Sequence, residues 1–392
     1  MTQVRHYLDH AATTPMLPVA VEAVGRELGR VGNASSLHGS GRAARRVVEE
    51  SRETIASCVG ARPSEVILTS GGTEADNLAV KGAYWSARRA DPARTRLVTS
   101  TVEHHAVLDA AGWLAESQGA QLDLVDVDPS GRLDLAAMQA SMGPTTALIS
   151  VIWGNNEVGT LQPIPVVAAA ARRAGAVSHS DAVQAVGHVA VDFAASGLDT
   201  MTFTAHKLGG PYGVGALLAR REVQLTPIQH GGGQERDVRS GTFDVAAVAG
   251  FAAAVQHAVG QLAAEEERLR GLKRQLADSV LSLLPEARVN GPDAPAETLP
   301  GVLNVAIPGC DAASMLMLLD RAGIDCSAGS ACAAGVSQPS HVLTAMGRSE
   351  SEARSCLRFS LGHSSTAADI AALLAVLPEV VRRARAAGAV TV

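Results

Sequence analysis

The sequence predicts an α/β protein built on a mainly parallel sheet with helices on both faces, followed by a smaller α+β unit. Three observations carry this reading. Short apolar runs alternate with helical patterns along most of the chain, polar and glycine-containing clusters follow several of those runs, and the character changes near residue 258. Alternation of strand and helix is the pattern of a parallel sheet covered on both sides. Such sheets bind ligands beyond the carboxyl ends of their strands, where the polar clusters fall.

In chain order, Glu65–Ser70, Arg96–Ser100, Ala147–Ile152, Ala176–Ser180 and Thr200–Thr204 read as strands. Helical patterns run over Thr73–Ser86, Ala106–Gln118 and Ile164–Arg173. Beyond residue 258, Gly260–Leu284 reads as a connecting helix, acidic early (Glu265-Glu266-Glu267) and basic later, a polarity that suits the helix dipole. Residues 285–300 read as loop. The smaller unit then supplies a strand at Val302–Ile307, a helix at Ala312–Ala322 and a strand at Leu357–Leu361, and the last residues read only as an Ala/Arg-rich tail.

Composition narrows the function. The chain has 392 residues, 47% of them apolar and 18% charged, enough for two domains with their own cores. A net charge of −6 gives no bulk attraction to nucleic acid or to an anionic membrane. The start of the chain has no signal-peptide core and no apolar run reaches bilayer length, so a cytoplasmic protein is expected. Five cysteines (58, 310, 326, 332 and 356), with no CxxC pair, suggest reduced thiols and no metal site.

Of the 33 basic residues only three are lysines: Lys81, Lys207 and Lys273. An amine can lose its proton when desolvated and attack a carbonyl to form a Schiff base, which a guanidinium cannot do. Lys207 follows an apolar strand in Thr204-Ala205-His206-Lys207, whereas Lys81 and Lys273 read as surface or salt-bridging lysines. Ser70-Gly71-Gly72-Thr73 joins a strand to a helix and offers backbone amides to an anion, although the same residues make an ordinary turn and cap. Asp181, at another strand end, can face a ring nitrogen or cap the next segment, and Gln184 lies one turn on. Thr204 and His206 can both reach a phosphate. His104, after a third strand, can stack on a flat cofactor or stand as plain loop polarity. Cys332, in Gly329-Ser330-Ala331-Cys332-Ala333-Ala334-Gly335, can pack as a small buried hydrophobe, as free cysteines commonly do, or, set among small residues, reach between a buried substrate and an outside acceptor. Cys326 reads as structural.

Together these motifs resemble the cysteine desulfurases (NifS/IscS-like) of the class V pyridoxal-phosphate-dependent aminotransferase family. The resemblance runs nearly end to end. It includes Tyr7-Leu8-Asp9-His10-Ala11-Ala12-Thr13-Thr14-Pro15, Asn33-Ala34-Ser35-Ser36-Leu37-His38, Ser70-Gly71-Gly72-Thr73-Glu74 and Glu103-His104-His105. It continues through Asn155-Asn156-Glu157-Val158-Gly159, Asp181-Ala182-Val183-Gln184, His206-Lys207, Gly231-Gly232-Gly233-Gln234-Glu235, Arg239-Ser240-Gly241-Thr242, Gly329-Ser330-Ala331-Cys332 and Arg358-Phe359-Ser360-Leu361-Gly362.

The resemblance implies a PLP-dependent transferase fold of type I. A large domain, residues 14–258, would carry a mainly parallel seven-stranded sheet, and residues 1–13 with 259–392 would form the small domain bearing Cys332. Pyridoxal 5'-phosphate would be bonded by Lys207, paired at its ring nitrogen by Asp181 and at its ring oxygen by Gln184, and stacked by His104. Gly72, Thr73, Thr204 and His206 would hold its phosphate, with Thr242 contributed across a homodimer interface. Asn156 and Arg358 would fix the α-carboxylate of L-cysteine, a task suited to an arginine fork, and Asn33 would line the substrate entrance. Sulfur would pass to Cys332 as a persulfide, leaving alanine, and then to an acceptor protein for iron–sulfur cluster assembly or thiolation. The chain ends soon after Gly362, short of the longer-tailed members with this loop, which leaves scaffold docking open. A selenocysteine lyase is the alternative enzyme, and a catalytically idle scaffold or regulator the alternative from another class.

Overall fold

The computed structural model of the chain describes residues 5–328 and 339–388. A first short strand, β1 (His6–Tyr7), is followed by the seven strands of the central sheet. These are β2 (Val66–Thr69), β3 (Arg96–Ser100), β4 (Gln121–Val125), β5 (Thr146–Ser150), β6 (Val177–Asp181), β7 (Thr200–Thr204) and β8 (Gly215–Ala219), in the spatial order β2-β8-β7-β6-β5-β3-β4. The run from β4 to β7 is parallel, and β8 is antiparallel to both β7 and β2. Two antiparallel pairings in succession restore the direction, so β2 again points the same way as β7. The carboxyl ends of β2, β3, β5, β6 and β7 therefore share one edge of the sheet. Every residue of β5, β7 and β8 is buried, as expected for a sheet with helices on both faces.

Helices at Gly72–Ala90, His105–Gln118 and Ile164–Ala174 follow the predicted patterns. Helix Val245–Gly260 then meets helix Leu262–Leu283 at a bend of 71°, three residues beyond the change of character read from the sequence. Beyond it, β9 (Arg288–Asn290), β10 (Val302–Ala306), β11 (Ile324–Asp325) and β12 (Cys356–Ser360) complete the strands. β9, β10 and β12 form an antiparallel sheet, and β11 pairs with β1, so the N-terminal segment is built into the C-terminal unit.

The Ala/Arg-rich tail is a helix, Ala367–Gly388, that buries Ile370, Leu373, Leu377 and Val381 beside Leu8, Leu276 and Phe359. Its apolar spacing of three and four residues is an amphipathic stripe that the compositional bias hides. Among the described residues, no single helix is long and apolar enough to cross a membrane.

Candidate active site

A cavity of about 250 Å³ opens at the carboxyl edge of the central sheet. Its wall includes Gly72 and Thr73 from the start of one helix, His104 from the start of another, Asn156, and Asp181 from the last position of β6. Gln184, Thr204, His206 and Lys207 complete that set. Most of the residues singled out in the sequence thus meet in one place, because each follows a strand that ends at the same edge.

Lys207 sits in the single turn Ala205–Lys207 directly after β7. Its Nζ donates to the backbone oxygens of Ala11 and Ala12, at 2.6 Å each. Burial first, and then nearby Arg358, lower its pKa from 10.5 to about 8 against the opposing pull of Asp181 and Asp9. The amine is thereby brought toward the neutral, nucleophilic form. Asp181 is almost wholly buried, and its pKa rises to about 7, first through burial and then through the neighbouring carboxyl of Asp76. Its Oδ1 accepts from the Val183 amide at 2.9 Å, so the capping role is real, and the carboxyl still lines the cavity. A cationic ring N–H placed against it would supply the charge that burial withholds.

His104 caps its helix, its Nδ1 accepting from the Ala106 amide at 3.1 Å, and burial lowers its pKa. Gln184 donates through Nε2 to the Ala11 oxygen at 2.8 Å. The Thr204 hydroxyl donates to the Val214 oxygen at 3.0 Å, and the His206 ring lies 3.3 Å from the Thr13 hydroxyl. Burial and the nearby Lys207 lower the His206 pKa to about 4.

Arg358 is buried in β12 and is not part of the cavity wall, which it meets through Asn156. Its Nη2 donates to Asp9 at 2.7 Å and its Nη1 to the Asn156 oxygen at 3.1 Å. Asn33 is exposed and outside the cavity wall, its Oδ1 accepting from the Ser35 amide at 2.9 Å. Thr242 is also exposed and outside the wall. Cys332 lies outside the described residues. Cys326 is a poor nucleophile: burial pushes its thiol up to about 12.

The reading from sequence passed over three acids. Asp76 lies 3.2 Å from the His179 ring; both are buried, and Asp76 lines the cavity together with Asp181. Glu103 is wholly buried and accepts from the Ile152 amide at 2.8 Å and from the Ser100 hydroxyl. Burial pushes both carboxyls to about 8. Asp9 pairs with Arg358. Spacing from Gly72 to Asp76, one helical turn, is the single local signal that pointed to any of them. Lys273 is also not the surface or ion-paired lysine expected. It is half-buried, donates to the Thr298 hydroxyl at 2.9 Å and the Leu299 oxygen at 3.0 Å, and desolvation lowers its pKa to about 8.

The donor set fits pyridoxal phosphate. The helix starting at Gly72 has no side-chain cap at Gly71, and its first amides lack partners within the helix. A Cβ at Gly72 would lie 3.1 Å from the Val183 side chain, so a larger residue there would press on the wall of the cavity. Amide donors, a hydroxyl and an imidazole on one side, with an amine and a buried acid on the other, match a group carrying a phosphate, an aldehyde and a ring nitrogen.

The comparisons with known proteins agree with this architecture. The aminotransferase class-V family model matches residues 6–373. An IscS-like cysteine desulfurase of Mycobacterium tuberculosis is 54% identical over 383 residues, 97% of each chain. A cysteine desulfurase of Cereibacter sphaeroides is 43% identical, again over 97% of each chain. Among solved structures, a NifS-like protein superposes with a TM-score of 0.89 at 31% identity, covering 97% of this chain and 100% of the other. The chain belongs to the class-V aminotransferase family. Within that family its relatives are the cysteine desulfurases.

Proposed function

We propose that this protein is a cysteine desulfurase that uses pyridoxal 5'-phosphate to take sulfur from L-cysteine, leaving L-alanine. The observation that carries the reading is the meeting of Lys207 and Asp181 in one cavity beside the uncapped helix start at Gly72. When bound, pyridoxal phosphate supplies a carbonyl for the substrate's amine and an electron sink for the carbon next to it.

Gly72, Thr73, Thr204 and His206 hold the phosphate, and Thr242 of a second copy completes that site in a homodimer. With the cofactor bound, Asp181 would hold a proton at the ring nitrogen, Gln184 would serve the ring oxygen, and His104 would pack against the ring and move protons. Asn156 and Arg358 fix the α-carboxylate, with Asn33 at the entrance. Lys207, freed as an amine, takes the α-proton; its lowered pKa suits it to act as a base near neutral pH. The Cys332 thiolate then attacks the substrate's sulfur. An S–S bond forms, the C–S bond breaks with its electron pair returning to the β-carbon, and a proton taken up there together with return of a proton to the α-carbon gives alanine. The persulfide on Cys332 passes to an acceptor protein, for iron–sulfur cluster assembly or thiolation, in the cytoplasm.

The apolar cluster that joins Leu8 to the C-terminal helices supports a division into residues 14–258 and residues 1–13 with 259–392, and the two parts share apolar contacts where Leu299 and Val302 enter the core of the sheet and Ala306 and Val342 cluster with Val102 and Ile152. The deciding assay incubates the purified protein with L-cysteine and measures alanine and sulfide. Cys332→Ala is expected to lose sulfur release while keeping the cofactor absorbance, and Lys207→Ala to lose both. A Cys332→Ala variant that makes sulfide as fast as wild type refutes the assignment of Cys332.

A further inference from the structure

Asp9 and Arg358 are the two ends of a contact that spans 349 residues and lies beside Asn156 of the cavity wall. Arg358 is fixed at its root: its backbone pairs with Asn304 across β10 and exchanges both hydrogen bonds with Ser327. Asp9 is fixed as well. The next amide, of His10, donates to the Ser360 oxygen at 3.2 Å, and the Tyr7 hydroxyl donates to the Asp9 oxygen at 3.1 Å. Two anchored side chains therefore meet in a 2.7 Å charge-assisted bond.

The guanidinium is nearly spoken for. Nη1 serves the Asn156 oxygen, Nη2 serves Asp9, and Nε is buried with no hydrogen-bond partner among the described residues. Exposure of the pair is uneven: the Arg358 side chain is 5% exposed and that of Asp9 22%. An incoming carboxylate therefore meets the pair from the side that Asp9 occupies. Lys207, Tyr7, Cys326 and Glu157 are the other ionisable groups that feel one or both members of this pair. Among these groups, Asp9 is the carboxylate bonded to the Arg358 fork.

We propose that Asp9 is a specificity-determining residue, competing with the substrate's α-carboxylate for the N–H donors of Arg358. The inference rests on the reading that Arg358 takes that carboxylate. Asp9 keeps the arginine oriented and its charge compensated, and it weakens the hold on every carboxylate ligand, substrate and product alike. Fast loss of L-alanine, whose carboxylate is the same as that of L-cysteine, is the benefit.

The test uses the cofactor-loaded dimeric protein and three probes: L-cysteine, its methyl ester, which lacks the carboxylate, and L-alanine, whose binding is followed by the absorbance of the bound cofactor. Asp9→Asn keeps the shape and removes the charge, and Asp9→Ser is a second neutral variant should the first be poorly folded. Both are expected to lower KM for L-cysteine and Kd for L-alanine by roughly tenfold, the scale of one charge-assisted hydrogen bond. KM for the methyl ester stays within about twofold, because that probe makes no contact with the fork. Asp9→Glu, which keeps the charge, stays near wild type. An unchanged or raised KM for L-cysteine in both neutral variants overturns the proposal and makes Asp9 a brace. The underlying reading is tested apart: Arg358→Gln is expected to raise KM for L-cysteine more than about tenfold and to spare the methyl ester. If Arg358→Gln leaves L-cysteine alone, the carboxylate assignment itself falls.

Discussion

The lowered pKa of Lys207 gives the sharpest prediction, because two neighbouring charges move it in opposite directions. At pH 7.5 a lysine with a pKa of 10.5 has about one amine in a thousand unprotonated, whereas at a pKa of about 8 roughly a quarter are free. Lys207 in cofactor-free protein should therefore react with an amine-directed acylating reagent roughly two hundred times faster than its protonation would otherwise allow. Labelling followed site by site with mass spectrometry across pH 6 to 11 yields the midpoint directly. Arg358→Met removes the cation that helps to lower the pKa and should move the midpoint up, while Asp181→Asn removes a counter-charge and should move it down. The sign for stability follows from the same shift. Between about 8 and 10.5 the unfolded chain holds a proton on this lysine that the folded one has released, so the cofactor-free fold gains stability as pH rises through that window. A Lys207 midpoint at or above 10 that ignores both substitutions refutes the electrostatic account of the site.

Two further predictions concern the scaffold. A Cβ at Gly215 would lie 2.9 Å from the Gly71 backbone and 3.0 Å from the Phe203 oxygen, so Gly215→Ala should push the turn ahead of Gly72 and weaken pyridoxal phosphate retention in equilibrium dialysis, at a stability cost of roughly 1–3 kcal/mol. Unchanged retention and melting would mean that the turn has slack. Arg52 and Glu235 form a buried two-bond pair at 2.9 Å per bond, so Glu235→Gln strands a buried charge and should cost roughly 3–5 kcal/mol, seen as a fall of several degrees in the melting midpoint, with partial recovery in Arg52→Met/Glu235→Gln.

What the sequence made legible was whatever depends on local pattern. β3 and β7 carry the residues expected, and β6 differs only at its ends, because each is a short apolar run bounded by polar residues. Two strands of the same sheet escaped. β4 lies at the edge, with one wholly buried residue, and lacks the continuous apolar signature. β8 reads Gly-Ala-Leu-Leu-Ala, a run that periodicity alone cannot separate from helix. The site divides the same way. Asp181 and Lys207 stand at strand ends and were visible, whereas the work of Asp9 depends on a partner 349 residues away. Lysine scarcity pointed at Lys207, but Lys273 is equally rare and is also half-buried with a lowered pKa. What separates them is that Lys207 faces the cavity and an acid, while Lys273 spends its donors on the backbone and hydroxyl of one loop.

The segment from Asp9 to Thr13 explains how so many buried donors can coexist around one cavity. Lys207 and Gln184 both donate to the Ala11 oxygen, Lys207 also to Ala12, Arg358 donates to Asp9, and the His206 ring lies beside the Thr13 hydroxyl. A buried donor left without an acceptor costs about 1–3 kcal/mol, and more if charged, so four such groups could not be packed together without partners. The N-terminal segment supplies those partners, and it is held there by β1 pairing with β11 and by the Ala11 amide donating to the Ser360 hydroxyl at 2.8 Å. Binding to these groups is then an exchange of hydrogen bonds, in which each new contact is offset by one given up to residues 9–13. Net affinity therefore comes mainly from groups outside that exchange. These are the uncapped amides at Gly72 and Thr73 and the buried carboxyl of Asp181, which only a phosphate and a cationic ring nitrogen can satisfy together.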